Sequence, residues 1–455
     1  MQQLDQILQS LEAPMLETLK EWVRIPSIKA DPAPGAPFGP VLRQMLDKAM
    51  ADCQALGMKT ESFDGYIGHA DMGEGSDEDA LAILAHVDIV PVGDGWQREP
   101  FGAQVEDGKL YGRGTSDDKG PAVAALYAMH AVQQAGIPLK RKVRLILGCD
   151  EESGWLDIDH YNKVATMPRM GFSPDASYPV INLEKGMCGL ELTAPASAEG
   201  LQVIVFNVGE RPNVVPGLAA ATVKGGEELV AKVAEIQKQY GWPVSASHDG
   251  GVVTITAKGI TGHAAFPWHG RNAIGQVLVT LRELGVQGAL KTLADTIGTA
   301  HDGAGLGAKV EDGMSGPLTC NLGIIRVEQG QVYARLDIRY PLLTNTQMLE
   351  KVIALHLPGI QVKEARFKAP HFVPEQSELV QSLLDAYHEV TGREKKTIAI
   401  GGGTYARSLK EGVAFGALFP EEPDVAHQAD EYIDIQNLTA NMRIFASAIV
   451  KLAGA

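Results

Sequence analysis

The run Leu81-Ala82-Ile83-Leu84-Ala85-His86-Val87-Asp88 ends an apolar segment with an imidazole and, two residues on, a carboxylate. Residues i and i+2 of a strand point to the same side. Asp88 is therefore placed to reach the ring of His86, fix its tautomer and raise its basicity, as a carboxylate behind a metal-bound histidine does. Asp117, the adjacent pair Glu151 and Glu152, Asp175 and His427 follow in similar settings. Hard oxygen donors with two imidazoles suit zinc, manganese or cobalt. His86, Asp117, Glu152, Asp175 and His427 are too many ligands for one tetrahedral zinc that must keep an open position. They suit two ions sharing a bridging carboxylate.

Each piece has a plainer reading when taken alone. The turn Tyr111-Gly112-Arg113-Gly114-Thr115-Ser116-Asp117-Asp118-Lys119-Gly120 could be a helix cap with a carboxylate for the dipole. It lacks the residue order of a phosphate loop and carries two negative charges where an anion would sit. Glu151 and Glu152 would face opposite ways on a regular strand, so both serve one site only if the chain has already left the strand. His263, in Gly262-His263-Ala264-Ala265-Phe266-Pro267, would by itself be a surface histidine.

The elements that must hold these residues are legible in outline. Leu4, Ile7, Leu8, Leu11, Met15, Leu16, Leu19, Trp22 and Val23 recur at helical spacing over 4–24. A Pro- and Gly-rich loop over 31–40 precedes a helix at 41–56. Pro121 marks a helix start running on through Gln134, and Val143 to Leu147 is a buried strand. This alternation predicts an α/β domain with a mixed, mostly parallel sheet. Sites in such sheets gather at the carboxyl ends of the strands. From about Glu184-Lys185-Gly186 the character changes to short alternating strands at 189–193, 203–208, 251–257 and 331–339, with helices at 226–240, 272–284 and 346–357. A helix at 376–391, a strand-like 412–419 and a last helix near 436–453 return to the first pattern. The reading is an α/β domain over 1–185 and 371–455, interrupted by an α+β insert over 186–370.

The 455 residues exceed one compact core. A net charge of −16 argues against a nucleic-acid partner. The four cysteines are widely spaced with no CxxC, which fits a reducing compartment. No basic, apolar leader opens the chain and no 18-residue apolar run occurs. The expectation is a cytoplasmic protein without a membrane or nucleic-acid partner.

Together the segments resemble the two-zinc exopeptidase family of carboxypeptidase G, aminoacylase and succinyl-diaminopimelate desuccinylase, and within it the PepV-type dipeptidases. The matching pieces are His86-Val87-Asp88, Gly112-Arg113-Gly114 to Gly120, Asp150-Glu151-Glu152 and Ser173-Pro174-Asp175. Gly262-His263, Arg339-Tyr340-Pro341, Gly401-Gly402-Gly403-Thr404 and His427 complete the set. The resemblance implies a two-lobed, ferredoxin-like lid and two divalent ions per chain, zinc first, with manganese or cobalt as alternatives. Asp117 would bridge them, with His86 and Asp175 on one and Glu152 and His427 on the other. Glu151 would be the general base, Asp88 the support of His86, and His263 the donor to the developing oxyanion. Asn213, Arg339, Gly402 and Thr404 would hold the substrate. A cis Asp117–Asp118 bond is implied as well. Asp175, where carboxypeptidase-type relatives carry Glu, favours a dipeptidase. N-acyl amino acid hydrolysis, a histidine-dipeptide peptidase and a silent peptide-binding protein remain alternatives. The long insert implies a monomer.

Overall fold

The computed structural model describes residues 2–455, the side chains at 346 and 347 aside. The chain forms two compact units. One comprises Met1–Asn182, Phe372–Ile398 and Gly403–Ala455, the other Leu183–His371 and Ala399–Gly402. The sequence boundaries at 185/186 and 370/371 fall within a few residues of these crossings. The short segment 399–402, which sequence reading left in the first unit, belongs to the second.

The first unit is built on a mixed sheet whose centre is parallel. Strands Val143–Gly148, Leu81–His86, Met170–Ser173 and Glu411–Ala414 lie side by side in that order and run the same way. Antiparallel strands flank them: Lys59–Phe63 and Ile67–Met72 on one side, Val180–Glu184 on the other. Leu81–His86 is buried along its whole length because both faces of the sheet are covered. Leu81, Ile83 and Ala85 join the larger core with helices Lys119–Gln134 and Ile435–Ala453. Ala82 and Leu84 join a smaller core with Ile158, Tyr161 and Tyr405. The two-residue period then dictates where His86 points: to the side of Ala82 and Leu84, where Tyr405 meets it edge to face.

The second unit contains two four-stranded antiparallel sheets. One runs Thr319–Glu328, Gln331–Tyr340, Gly186–Pro195, Gln361–Lys368, the other Val203–Val205, Leu218–Lys224, Val252–Lys258, Val244–Asp249. Residues of both sheets, with helices Glu227–Tyr240, Ala273–Glu283 and Ala289–Thr296, share one apolar core. Gly186–Pro195 shows the strict alternation that made part of it legible, with Cys188, Leu190, Leu192 and Ala194 inward. Leu218–Lys224 and Thr319–Glu328 were not anticipated. The second alternates over Thr319-Cys320-Asn321-Leu322 and again over Ile325-Arg326-Val327-Glu328, but a register shift between Leu322 and Ile324 breaks the phase in mid-strand.

Candidate metal centre

Four loops at the carboxyl ends of the central strands converge. Leu81–His86 ends on His86, which is fully buried. Val143–Gly148 runs out into Cys149-Asp150-Glu151-Glu152, and Met170–Ser173 leads to Asp175. Asp117 lies in the glycine-rich turn before helix Lys119–Gln134, and the Asp117–Asp118 peptide bond is cis. The turn closes so tightly that a Cβ on Gly120 would stand 2.1 Å from the Thr115 carbonyl oxygen. His427 comes from the loop before the last strand and helix.

His86 Nε2 stands 3.0 Å from one oxygen of Asp117, and His427 Nε2 stands 2.9 Å from the other. Asp175 lies 3.7 Å from the same His86 nitrogen, and Glu152 lies 2.8 Å from His427 Nε2. Ligand atoms of His86, Glu151 and Asp175 all fall within 4.8 Å of one another, as do those of Asp117, Glu152 and His427. Asp117 thus stands between two donor groups, each of metal-site dimensions. All six residues that the sequence singled out for this cluster are brought together.

Asp88 acts somewhat differently from the sequence expectation. The Nδ1–H of His86 donates to the main-chain oxygen of Asp88 at 3.0 Å, with the Asp88 carboxylate 3.3 Å away. That carboxylate accepts the backbone N–H groups of Glu151 and Glu152 at 3.3 and 3.2 Å. One residue therefore orients the His86 ring, leaving Nε2 toward the cluster, and anchors the glutamate pair to the same strand.

The electrostatics test whether cations fit. Burial alone would lower the His86 pKa, but Asp117, Asp88 and Asp175 outweigh it and hold the ring well above its usual value. His427, half-exposed, is likewise raised against the effect of burial by Asp117 and Glu152. Burial works to raise the Asp117 pKa, yet the two imidazoles hold its carboxyl far below the usual range. Glu151, Glu152 and Asp175 are pushed up by burial and by neighbouring carboxylates. Uncompensated negative charge thus favours the protonated forms of His86, Glu151, Glu152, Asp175 and His427. Oxygen and imidazole donors around two such foci suit divalent cations.

Several supports carried no sequence signal. Glu431, fully buried, pairs with Arg113 at 2.6 Å. Its other oxygen accepts the N–H groups of Gly114, Ser116 and Asp117 at 3.0, 2.9 and 3.3 Å. It stands four residues after His427, so it ties the His427 loop to the turn carrying Asp117. His427 itself has φ of 63°, a backbone region non-glycine residues rarely occupy. Asp157 accepts the N–H groups of Cys149 and Asp150 at 2.7 and 2.9 Å and the hydroxyl of Tyr405, fixing the start of the glutamate loop. The Lys119 ammonium donates to the carbonyls of Trp22 and Ile25 at 2.9 and 2.8 Å, locking the helix start.

The remaining expected site residues lie mostly in the second unit. His263 is exposed on the short strand Gly262–His263, which pairs with Val214-Val215. Its Nδ1 accepts the Ala265 N–H at 3.1 Å, which puts the proton of the neutral ring on Nε2. Asn213 precedes the paired strand, and its carbonyl accepts the Ala264 N–H at 2.9 Å. Arg339 is buried. Its guanidinium is gripped by Asp337 through Nε and Nη2 at 2.5 and 3.0 Å, and Nη1 donates to the Gly401 carbonyl at 2.9 Å. Gly402 is half-buried beside it in sequence. Thr404, in the first unit, caps a short turn by accepting the Ala406 N–H at 3.2 Å.

A cluster of carboxylate and imidazole donors at the carboxyl ends of parallel strands, in a chain interrupted by an α+β insert, has the chemistry of a divalent-metal centre. The sequence pattern of Peptidase family M20/M25/M40 matches residues 82–451, and the chain belongs to this family. It is 37% identical over 452 residues to YtjP of Bacillus subtilis (strain 168), which bears a provisional dipeptidase name. The match covers 96% of this chain and 97% of that one. Among solved structures it resembles human carnosine dipeptidase 1, with a TM-score of 0.57 and 15% identity over 99% of each chain. It also resembles the dipeptidase Dug1p from Saccharomyces cerevisiae, with a TM-score of 0.57 and 14% identity over 99% of this chain and 98% of that one. At such identities the likeness concerns the fold.

Proposed function

We propose that the protein is a metal-dependent dipeptidase that hydrolyses the peptide bond of small, unblocked dipeptides. The observation that carries this is Asp117, whose two carboxylate oxygens each face the imidazole of a separate donor group. In this reading two divalent ions are held, zinc first, with manganese or cobalt as alternatives. His86 and Asp175 would hold one, Glu152 and His427 the other, and Asp117 would serve both. When bound, such ions lower the pKa of a water toward neutrality and polarise a carbonyl.

The chain's own groups do the rest. Glu151 takes a proton from the attacking water and returns it to the leaving amine. Asp88 keeps the His86 ring in register. His263, with its proton on Nε2, donates to the developing oxyanion. Arg339 holds the substrate carboxylate through N–H groups that Asp337 and Gly401 leave over, and Asn213, Gly402 and Thr404 contact the peptide. The first unit would be the catalytic domain and the second, with its segment 399–402, a lid that excludes water. The protein acts as a monomer in the cytoplasm, without nucleic acid or membrane. No described helix is long and apolar enough to cross a membrane.

The test is metal analysis followed by a substrate panel of unblocked dipeptides, including histidine-containing ones, against N-acetyl and N-succinyl amino acids. Turnover of the dipeptides with little of the N-acyl compounds is expected. Faster cleavage of an N-acyl amino acid would replace this reading with a deacylase.

A further inference from the structure

In the second unit, one end of a sheet carries a polar face. The antiparallel register of Thr319–Glu328 with Gln331–Tyr340 sets Thr319 opposite Arg339 and Asn321 opposite Asp337. Cys320, Leu322, Ile338 and Tyr340 belong to the apolar core, so the two-residue period turns the four polar side chains to the other side.

These side chains hold main chain of segments far away in sequence. Asn321, almost fully buried, donates its two amide hydrogens to the carbonyls of Pro212 and Val214 at 2.9 and 2.8 Å. Those carbonyls stand on either side of Asn213. The Asn321 oxygen accepts the Asn272 amide at 3.0 Å, so a flipped amide would lose all three bonds. Thr319 donates its hydroxyl to the carbonyl of Ala264 at 3.2 Å, next to His263. The two held segments are also bonded to each other, through Val214 opposite His263 and the Ala264 N–H to the Asn213 carbonyl. Arg339, gripped by Asp337, holds the carbonyl of Gly401. The approach is close enough that a Cβ on Gly323 would stand 2.3 Å from the Pro212 oxygen.

We infer that Asn321 and Thr319 are positioning residues for the peptidase reaction, setting the backbone from which Asn213 and His263 reach the substrate. This rests on the reading that Asn213 and His263 touch the substrate. A misplacement of about 1 Å in such groups can cost roughly 100-fold in rate. Buried polar side chains also satisfy carbonyls for purely structural reasons. The two roles differ in what they change. A structural role moves the melting temperature, whereas a positioning role lowers kcat and kcat/KM together while the fold persists.

Asn321→Asp keeps the shape but replaces the amide nitrogen, with both its N–H donors, by a single oxygen that faces two carbonyls. It is expected to lower kcat/KM on a panel dipeptide about 100-fold, mostly in kcat, with metal content and circular dichroism unchanged. Thr319→Val should cost about 10-fold, the scale of one hydrogen bond, and Thr319→Ser, which keeps the hydroxyl, should restore near wild-type rates. On an Asn213→Ala background, Asn321→Asp should add little, because its effect passes through Asn213. Wild-type kcat in Asn321→Asp beside an impaired Asn213→Ala would overturn the inference, and so would losses that simply multiply in the double variant. If Asn321→Asp does not fold, the Thr319→Val and Thr319→Ser pair decides, equal rates for the two counting against the inference. If Asn213→Ala and His263→Ala both keep full activity, the assignment of those two residues fails first and the inference falls with it.

Discussion

The separation of base from ligands makes the roles in the centre distinguishable one residue at a time. Glu151 lies in the donor group of His86 and Asp175, yet the proposed mechanism asks it to move a proton rather than hold an ion. Glu151→Gln is therefore expected to retain two metal equivalents and lose turnover by about 10²- to 10⁴-fold, the range for a positioned general base. His86→Ala or His427→Ala should lose an ion together with activity. Metal analysis beside initial rates separates the two outcomes, and a Glu151→Gln enzyme with most of its kcat would remove Glu151 as the base. The protons in the cluster yield a second expectation. His86 and His427 have raised pKa values, as do Glu151, Glu152 and Asp175. Near neutral pH the metal-free site holds protons that cations must displace, so binding releases them and affinity falls as the pH is lowered. Calorimetry of zinc binding in buffers of different ionisation enthalpy should show more than one proton released per chain at pH 7. Release of none would mean that the cluster is already ionised.

At the scale of the elements, the supports matter as much as the ligands. Glu431 fixes the turn that carries Asp117 through three backbone N–H groups. Glu431→Ala, which removes the acceptor, should weaken metal binding by roughly 10- to 100-fold, the usual cost of losing a group that orients a ligand. Competition with a chromogenic chelator measures this, and unchanged affinity would show the turn to be rigid without it. The contrast between ligands and supports also explains what could be read in the sequence. His86, Glu151, Glu152 and Asp175 lie close after apolar runs, a local pattern, whereas Asp117 and His427 follow polar, Gly- and Pro-rich stretches and were legible only with the motifs around them. Glu431, Asp157 and Asn321 act by accepting or donating bonds to main chain hundreds of residues away or around a turn. Nothing in their immediate sequence marks that. The helix Gln2–Val23 was legible because one stripe of it is apolar. Thr319–Glu328 was not, because the register shift between Leu322 and Ile324 breaks its alternation in mid-strand. Arg339 was legible as a motif, but its grip by Asp337 follows from strand geometry.

For the whole molecule, the insert of the second unit decides how the proposed site is completed. If 186–370 serves as a lid for its own chain, light scattering should give the mass of one 48.6 kDa chain. Mixing inactive His263→Ala with inactive Glu151→Gln should then restore no activity. Recovery in the mixture would reveal a site shared between subunits. Chelation of the ions should lower the unfolding temperature by a few degrees, since a ligand at 100 times its Kd contributes about 2.7 kcal/mol.

The central sheet has a further consequence, for the birth of the chain. Strand Glu411–Ala414 pairs in parallel with Met170–Ser173, about 240 residues earlier. Until the ribosome has delivered that late strand, Met170–Ser173 is an open, apolar sheet edge, the kind of surface that recruits other chains. His427 arrives later still. A nascent or truncated polypeptide that lacks these segments should therefore be both a client for chaperones and devoid of peptidase chemistry, so that hydrolytic competence waits until His427 has been made.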